Sequence, residues 1–146
     1  MKSISKGENP VSRLQDERIS PFIRVYFESN HLKQLFRQGW LIRGISKERC
    51  ESVAEHSFGV ALLAMFLADS YAPDLDLQKI LKLALIHDFG EIYAGDIVPQ
   101  DQVSPQKKHE LEKRSVHQVF KTLPHGETYI EAWQNMKLIN RRRPGL

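Results

Sequence analysis

Hydrophobic side chains recur at helical spacing along most of the chain, and no segment alternates as a half-buried strand does. The clearest helical segment covers residues 52–71. Ser52 can cap its first turn, and Glu55 stands three residues later, as in a capping box. Pro73 follows the last turn and favours a helix end there. The pattern therefore predicts one long, well-bounded helix in the middle of the chain.

Four further segments show the same periodicity. They cover residues 19–37, 77–89, 106–121 and 127–138. The segment at 19–37 is predicted to break near residues 29–30. Asp74 or Asp76 can cap the start of the segment at 77–89. A connector at 39–49 and a loop-like stretch at 90–105 join these segments. The sequence thus predicts an all-α fold built as a helical bundle.

The chain of 146 residues is long enough for one domain with a substantial core. Residues 1–18 are polar and without periodicity, so they are predicted to form a flexible leader. Residues 19–138 are predicted to form the bundle, and residues 139–146 a basic tail. The hydrophobic share of 41% and the charged share of 27% are ordinary for a globular protein.

The compartment is predicted from three features. Cys50 is the single cysteine, which excludes an internal disulfide and fits a reducing, cytoplasmic location. The longest run of apolar or small residues, 58–68, is shorter than the roughly 20 residues that a membrane-spanning helix needs. The first ten residues contain no apolar segment typical of a signal peptide. We therefore expect no membrane partner.

Net charge gives no sign of a nucleic-acid partner, although the formal charge is +3 and the pI is about 9.0. The excess lies in three consecutive arginines at 141–143, without which 18 basic and 18 acidic residues remain. A short basic tail is usually a solvated segment, and no aromatic residues are interleaved with it. The body of the domain is therefore expected to be electrically neutral.

Ionisable residues crowd the end of one apolar segment, LALIHDFGEIYAGD. It runs into His87 and Asp88, with Glu91 and Asp96 close behind. His56 and His87 each share a helix face with apolar residues, so both imidazoles are expected to point inward. A lone inward histidine is usually a hydrogen-bonded core residue. Two of them beside a buried aspartate favour a divalent metal, which would also offset the cost of burying the carboxylate.

Three motifs agree in order and spacing with one known family. GWLIRG, ESVAEHS and LALIHDFGEIYAGD together resemble the HD-domain metal-dependent phosphohydrolases, and in particular their 5'-deoxynucleotidase branch. The resemblance covers about residues 32–133. It implies an HD-domain helical bundle that hydrolyses nucleoside 5'-monophosphates, mainly deoxynucleotides, to nucleoside and phosphate. A homodimer is implied by the resemblance alone.

Carried over position by position, the resemblance makes His56, His87 and Asp88 the ligands of a divalent transition metal such as cobalt or manganese. It makes Glu91 and Asp96 the acid–base pair beside the metal. Glu91 would orient or deprotonate the attacking water, and Asp96 would donate a proton to the departing sugar oxygen. The metal would neutralise phosphoryl oxygens and acidify water.

The resemblance also implies a substrate site next to the metal. Trp40 would lie against the nucleoside sugar, and Arg43 is a candidate for the phosphate. Some members carry an arginine immediately before the tryptophan, a position that Gly39 occupies here. Two alternatives remain open: Trp40 as a core aromatic residue, and Arg43 in a surface salt bridge.

The ligand set departs from the family pattern. HD proteins add a further aspartate on a later helix, which would lie beyond residue 146, and Asp101 is the only aspartate after Asp96. Three ligands hold a metal less tightly than four. The alternative is therefore a catalytically degenerate HD module that binds a nucleotide or a protein without turnover. A second metal at His109 and His117 is not expected, because the residues between them are typical of an exposed face.

The end of the chain carries a further hypothesis. After Trp133 the resemblance stops, and NMKLINRRRPGL does not look like the end of a helix. One permitted codon choice for this segment, read two bases later, encodes YEANQSPEARF, which is similar to the family's sequence after this tryptophan. The tail would then be a frameshift product, which sequencing of the DNA would test. An incomplete bundle is also expected to be marginally stable or to aggregate.

Overall fold

The structure, a computed structural model, describes residues 19–141, with side chains up to residue 139. It contains seven α-helices: α1 Pro21–Ser29, α2 Gln38–Ile42, α3 Val53–Tyr71, α4 Leu77–Ile86, α5 Glu91–Ala94, α6 Pro105–Phe120 and α7 Gly126–Arg141. Short 3₁₀ turns lie at Asn30–Lys33, Lys47–Arg49 and Pro99–Asp101. Within residues 19–141 there is no strand, only one isolated bridge, so the predicted all-α class is confirmed. The predicted leader and residues 142–146 lie outside the described part.

The long central helix forms as predicted. The Ser52 hydroxyl accepts a hydrogen bond from the Glu55 backbone N–H at 3.2 Å, and the Glu55 carboxylate accepts one from the Ser52 backbone N–H at 2.7 Å. This capping box satisfies two of the donors that a helix start leaves unpaired. The first segment breaks where predicted, because α1 ends at Ser29. The helix expected after the break was wrong, since only a 3₁₀ turn at Asn30–Lys33 follows and residues 34–37 are not helical. Asp76 caps α4 by accepting from the Lys79 backbone N–H at 3.0 Å.

Two short helices lie where the sequence predicted irregular chain. α2 falls within the predicted connector, and α5 within the predicted loop. With five and four residues, they are too short for periodicity to reveal them. α4 ends at Ile86, three residues before the predicted end, so His87 and Asp88 lie in the turn that follows the helix.

The last helix is longer than predicted. α7 continues to Arg141, past the expected end at Leu138 and into the segment assigned to the basic tail. The prediction that this helix ends at Leu138 was therefore wrong by three residues. Met, Lys and Leu are good helix formers, and Met136 packs against the core while Lys137 pairs with Glu112.

The core lies between α1, the starts of α3 and α5, the end of α4, and the facing sides of α6 and α7. Its buried members are Val25, Leu32, Leu35, Val53, Ile86, Ile92, Val116, Val119, Phe120, Ile130 and Trp133. Phe120 stacks between Phe89 and Tyr129, with ring centroids 5.4 and 5.0 Å apart. The indole N–H of Trp133 donates to the His87 carbonyl at 3.0 Å. The core therefore fixes the backbone of the segment that carries the candidate site.

One face of α3 is not covered by the described residues. Leu63 and Leu67, which share the His56 face, are 59% and 48% exposed, so the expectation that this face packs inward was wrong. By length and composition α3 is the one helix within residues 19–141 that could cross a membrane, with 22% of that window buried. Length and composition alone are weak evidence for a membrane span, because the core helices of other proteins satisfy the same criteria.

Candidate metal centre

His56 and His87 converge on Asp88, as the sequence predicted. The Nε2 atom of His87 lies 3.1 Å from Asp88 Oδ2, and Nε2 of His56 lies 3.9 Å from the same oxygen. One ligand atom from each of the three residues lies within 4.8 Å of the other two. The packing of α3 against α4 brings the two imidazoles together, with ring centroids 5.6 Å apart.

Hydrogen bonds orient both imidazoles. Nδ1 of His87 lies 2.6 Å from the Ala84 carbonyl oxygen, and Nδ1 of His56 lies 3.2 Å from a Glu51 carboxylate oxygen. Both partners can only accept, so the hydrogen-bond pattern assigns the proton to Nδ1 in each neutral ring. The Nε2 lone pairs are then left facing Asp88, which is the arrangement of metal-binding histidines.

The cluster favours positive charge at the point where these atoms meet. Burial disfavours the charged form of His87, but its contact with the Asp88 carboxylate outweighs burial and raises its pKa. Burial likewise opposes ionisation of Asp88, yet the neighbouring His87 and Arg37 lower its pKa. Asp88 Oδ2 is buried, with His87 Nε2 at 3.1 Å and Arg37 Nη1 at 3.6 Å as its polar neighbours among the described residues. Two imidazole nitrogens and this carboxylate oxygen fit a divalent transition metal.

Arg37 is a site residue that the sequence analysis missed. Its Nη1 atom lies 3.6 Å from Asp88 Oδ2 and 3.5 Å from both Glu91 Oε1 and Asp96 Oδ1. The segment before α2 holds it there, since its backbone N–H donates to the Glu51 carbonyl at 3.1 Å. No periodic pattern marks this position. The need for a cation among three acidic residues is the signal that could have indicated it.

Glu91 and Asp96 lie beside the three-residue cluster, and both are buried, with 4% and 7% of their surface exposed. Burial and the charges of Asp88 and Asp96 raise the pKa of Glu91 to about 8. Asp96 accepts a hydrogen bond from the Gln38 backbone N–H at 2.7 Å. Gly95 precedes it with φ of 77°, a left-handed conformation that glycine adopts without strain. The turn at Gly95 thus places Asp96 against the start of α2.

Trp40 and Arg43 line a cleft of about 460 Å³ together with Arg37 and Asp96. The volume suits a small-molecule ligand. Trp40 is 52% exposed, so the alternative of a core aromatic residue does not hold. Within residues 19–141 Arg43 forms no ion pair, and the surface salt bridge considered for it is not found there. The structure therefore brings both residues to the cleft beside the cluster.

The other two histidines of interest lie elsewhere. The ring of His109 stacks on Trp133, with centroids 5.9 Å apart and planes 11° from parallel. His117 is exposed on α6. Among the described residues neither belongs to the group of candidate metal ligands.

The fold and the cluster define a helical domain with a candidate His–His–Asp metal centre. The model of the HD domain family matches residues 29–138. The chain belongs to this family.

Curated relatives and solved structures agree with this assignment. The chain is 32% identical over 123 residues to the 5'-deoxynucleotidase HDDC2 of Dictyostelium discoideum, covering 80% of this chain and 64% of that protein. It is 35% identical over 105 residues to the 5'-deoxynucleotidase HDDC2 of Homo sapiens, covering 70% and 49%. A predicted metal-dependent phosphohydrolase from Magnetospirillum magnetotacticum superposes with a TM-score of 0.66 at 29% identity, covering 84% and 62%. The chain thus spans about half to two-thirds of these proteins.

Proposed function

We propose that the protein is a metal-dependent phosphomonoester hydrolase that converts nucleoside 5'-monophosphates, in particular deoxynucleotides, to nucleoside and phosphate. The observation that carries the proposal is the convergence of the Nε2 atoms of His56 and His87 on one buried carboxylate oxygen of Asp88. The names of the relatives support the substrate class. A cytoplasmic location and a homodimer, without nucleic-acid or membrane partners, belong to the same proposal.

In this proposal His56, His87 and Asp88 hold a divalent transition metal, with cobalt and manganese as the first candidates. When bound, the ion withdraws charge from the phosphoryl oxygens and acidifies water. Phosphate monoesters hydrolyse extremely slowly without catalysis, so charge neutralisation is the main requirement. Arg37 adds a positive charge beside the carboxylates of Asp88, Glu91 and Asp96.

Glu91 and Asp96 supply proton transfer. In the metal-free protein, burial and the charges of Asp88 and Asp96 raise the pKa of Glu91 to about 8, and on this basis we assign Glu91 the donation of a proton to the departing sugar oxygen. Asp96, oriented by the Gln38 N–H, is then the base for the attacking water. These roles are the reverse of those expected from the sequence, because it is Glu91 whose burial among acidic residues raises its pKa.

The cleft supplies the substrate contacts. Trp40 is half-exposed at its wall and offers an aromatic face for the sugar. Arg37 and Arg43 line the same cleft and supply the charge that a phosphate needs. The proposal therefore assigns the phosphate to two arginines that flank Trp40 in the sequence. They would take the role of the arginine that some family members carry directly before the tryptophan, where this chain has Gly39.

Phosphate release from deoxynucleoside 5'-monophosphates, measured with added Co²⁺ or Mn²⁺, tests the proposal. We expect metal-dependent release that His87→Ala abolishes and that His117→Ala, which changes an exposed histidine outside the cluster, leaves intact. Equal release from the wild type and His87→Ala, or release without metal, would contradict the assignment of His87 as a ligand.

A second candidate is an HD module that binds a nucleotide without turnover. The number of ligands favours it, since the candidate site within residues 19–141 has three protein ligands. The two candidates differ in one combination of results. Binding of Co²⁺ and of a deoxynucleotide, with no phosphate released over hours, would establish the binding module.

A further inference from the structure

Glu112 is a buried carboxylate outside the candidate metal centre. It lies on α6 with 4% of its surface exposed. A Cβ atom added to Gly90 would stand 2.7 Å from the Cβ of Glu112, so α6 packs directly on the turn that follows Asp88. A carboxylate buried this deeply is costly unless positive groups pair with it. The positive groups that pair with Glu112 are therefore the groups that this carboxylate can hold in place.

Two lysines pair with Glu112. Its Oε2 atom lies 3.2 Å from Nζ of Lys137, and its Oε1 atom lies 3.8 Å from Nζ of Lys108. Lys108 is one turn earlier on α6, and Lys137 is on α7. One negative charge thus keeps two positive charges, from two helices, close together.

Lys108 contacts a segment that carries a site residue directly, and Lys137 reaches another through Trp133. Lys108 donates from Nζ to the carbonyl of Ile97 at 2.7 Å, and that residue directly follows the proposed catalytic aspartate. Nζ of Lys137 lies 5.1 Å from the ring centroid of Trp133. The indole N–H of Trp133 in turn donates to the carbonyl of His87 at 3.0 Å. Glu112 is therefore linked through Lys108 to the backbone next to Asp96, and through Lys137 and Trp133 to the backbone of His87.

We propose that Glu112 is a positioning residue, which holds Lys108 and Lys137 in place and so fixes Asp96 relative to His87. The inference rests on the proposed function for its catalytic consequence. Without the carboxylate, the two ammonium groups repel each other, and Lys108 loses the charge that keeps it at the Ile97 carbonyl. A small displacement of a group that transfers protons reduces the rate strongly, even when the displaced contact is remote from the reaction.

Hydrogen exchange of the metal-free protein tests the geometric part. The comparison is Glu112→Gln against Glu110→Gln, which makes the same change on the same helix where an exposed Glu110 has only a 4.0 Å pair with Lys107. We expect exchange in residues 94–98 to be about tenfold faster in Glu112→Gln, with α3 unchanged. Equal exchange in the two variants, or an acceleration shared equally by α3, would overturn the proposal.

Steady-state kinetics with Co²⁺ tests the catalytic part. For Glu112→Gln we expect kcat to fall at least about tenfold while KM changes less than about twofold, because the substrate contacts stay in place. Glu110→Gln is expected to match the wild type. An unchanged kcat in folded Glu112→Gln would overturn the positioning role.

A second pair of variants covers the case in which Glu112→Gln does not fold. Lys108→Met removes the contact to Ile97 together with the 3.8 Å ion pair to Glu112, but leaves the ion pair between Glu112 and Lys137. Lys107→Met is its exposed control. We expect faster exchange in residues 94–98 for Lys108→Met alone. Identical exchange in both lysine variants would count against the proposal.

The experiments distinguish failure of the proposed function from failure of the positioning role of Glu112. If the wild type releases no phosphate, the proposed function fails, and exchange in residues 94–98 still decides whether Glu112 holds this segment. If the wild type is active and Glu112→Gln is equally active, the positioning role alone fails.

Discussion

At the scale of single residues, Glu91 links the stability of the metal-free protein to pH. Its pKa rises from 4.5 to about 8 because it is buried beside Asp88 and Asp96. The folded protein therefore holds a proton that the unfolded chain releases between these two values. The resulting stabilisation is fully present below pH 4.5 and is lost as the pH rises through about 8.

We therefore expect Glu91→Gln to flatten this dependence. Between about pH 5 and 8 the free energy of unfolding of the wild type should fall more steeply than that of Glu91→Gln, by up to about 1.4 kcal/mol per pH unit. Urea unfolding at several pH values in the presence of a chelator measures it. Glu110→Gln, an exposed change, should keep the wild-type slope. Parallel curves for Glu91→Gln and wild type would contradict the raised pKa.

Metal binding should be visible as stabilisation, independently of catalysis. A ligand that binds only the folded state at 100 times its Kd adds about 2.7 kcal/mol. In a domain of this size, each kcal/mol of stabilisation raises the Tm by about 2–4 °C. We expect Co²⁺ to raise the Tm of the wild type and of His117→Ala, but not of His87→Ala, in thermal melts followed by circular dichroism. An equal shift in all three proteins would place the ion elsewhere.

The residues of the site were predictable to different degrees. His56, His87 and Asp88 stand out because ionisable groups on apolar helix faces are costly without a partner. Arg37 was not predictable in this way, because it lies in an irregular segment and meets its partners only through tertiary contacts. Its partner Asp96 follows it by 59 positions, a separation that no local pattern reports.

At the scale of secondary-structure elements, the packing of α6 on the turn after Asp88 predicts a clear pair of glycine variants. Gly90→Ala places a methyl group 2.7 Å from the Cβ of Glu112, so we expect a loss of about 1–3 kcal/mol. Gly59→Ala meets no atom within 4 Å inside α3 and should gain roughly 0.5–1 kcal/mol from helix propensity. Urea unfolding of both variants measures these changes, and a neutral Gly90→Ala would show that α6 moves away freely.

Elements with strong local signals were predicted well, and the others were not. α3 has a capping box, a long apolar stretch and a proline after its end, and all three act within one segment. α5 has four residues, and its buried Ile92 is held by the core, so tertiary packing decides its conformation. α7 was predicted too short, because residues 139–141 were assigned to the basic tail although the helix continues through them.

At the scale of the whole molecule, a large apolar surface is exposed on the part of the chain that the structure describes. Phe22 and Tyr26 on α1 are 60% and 59% exposed, and Phe58 and Phe66 on α3 are 63% and 57% exposed. Single exposed apolar side chains are ordinary, but several on each of two helices are typical of a surface that associates. The expectation of aggregation or marginal stability from the sequence is consistent with this surface.

We therefore expect the chain to self-associate at micromolar concentration through the open face of α3. Replacing Leu63 and Phe66 together by Gln should lower the mean mass in light scattering over a dilution series, because both are more than half exposed on that face. Leu75→Gln is the control, since Leu75 is equally exposed but lies in the turn after the helix. A monodisperse wild-type monomer with a sharp, reversible thermal transition would show that this face is tolerated in water. An unchanged mass in the double variant would instead move the contact to α1, whose aromatic residues then become the next to replace.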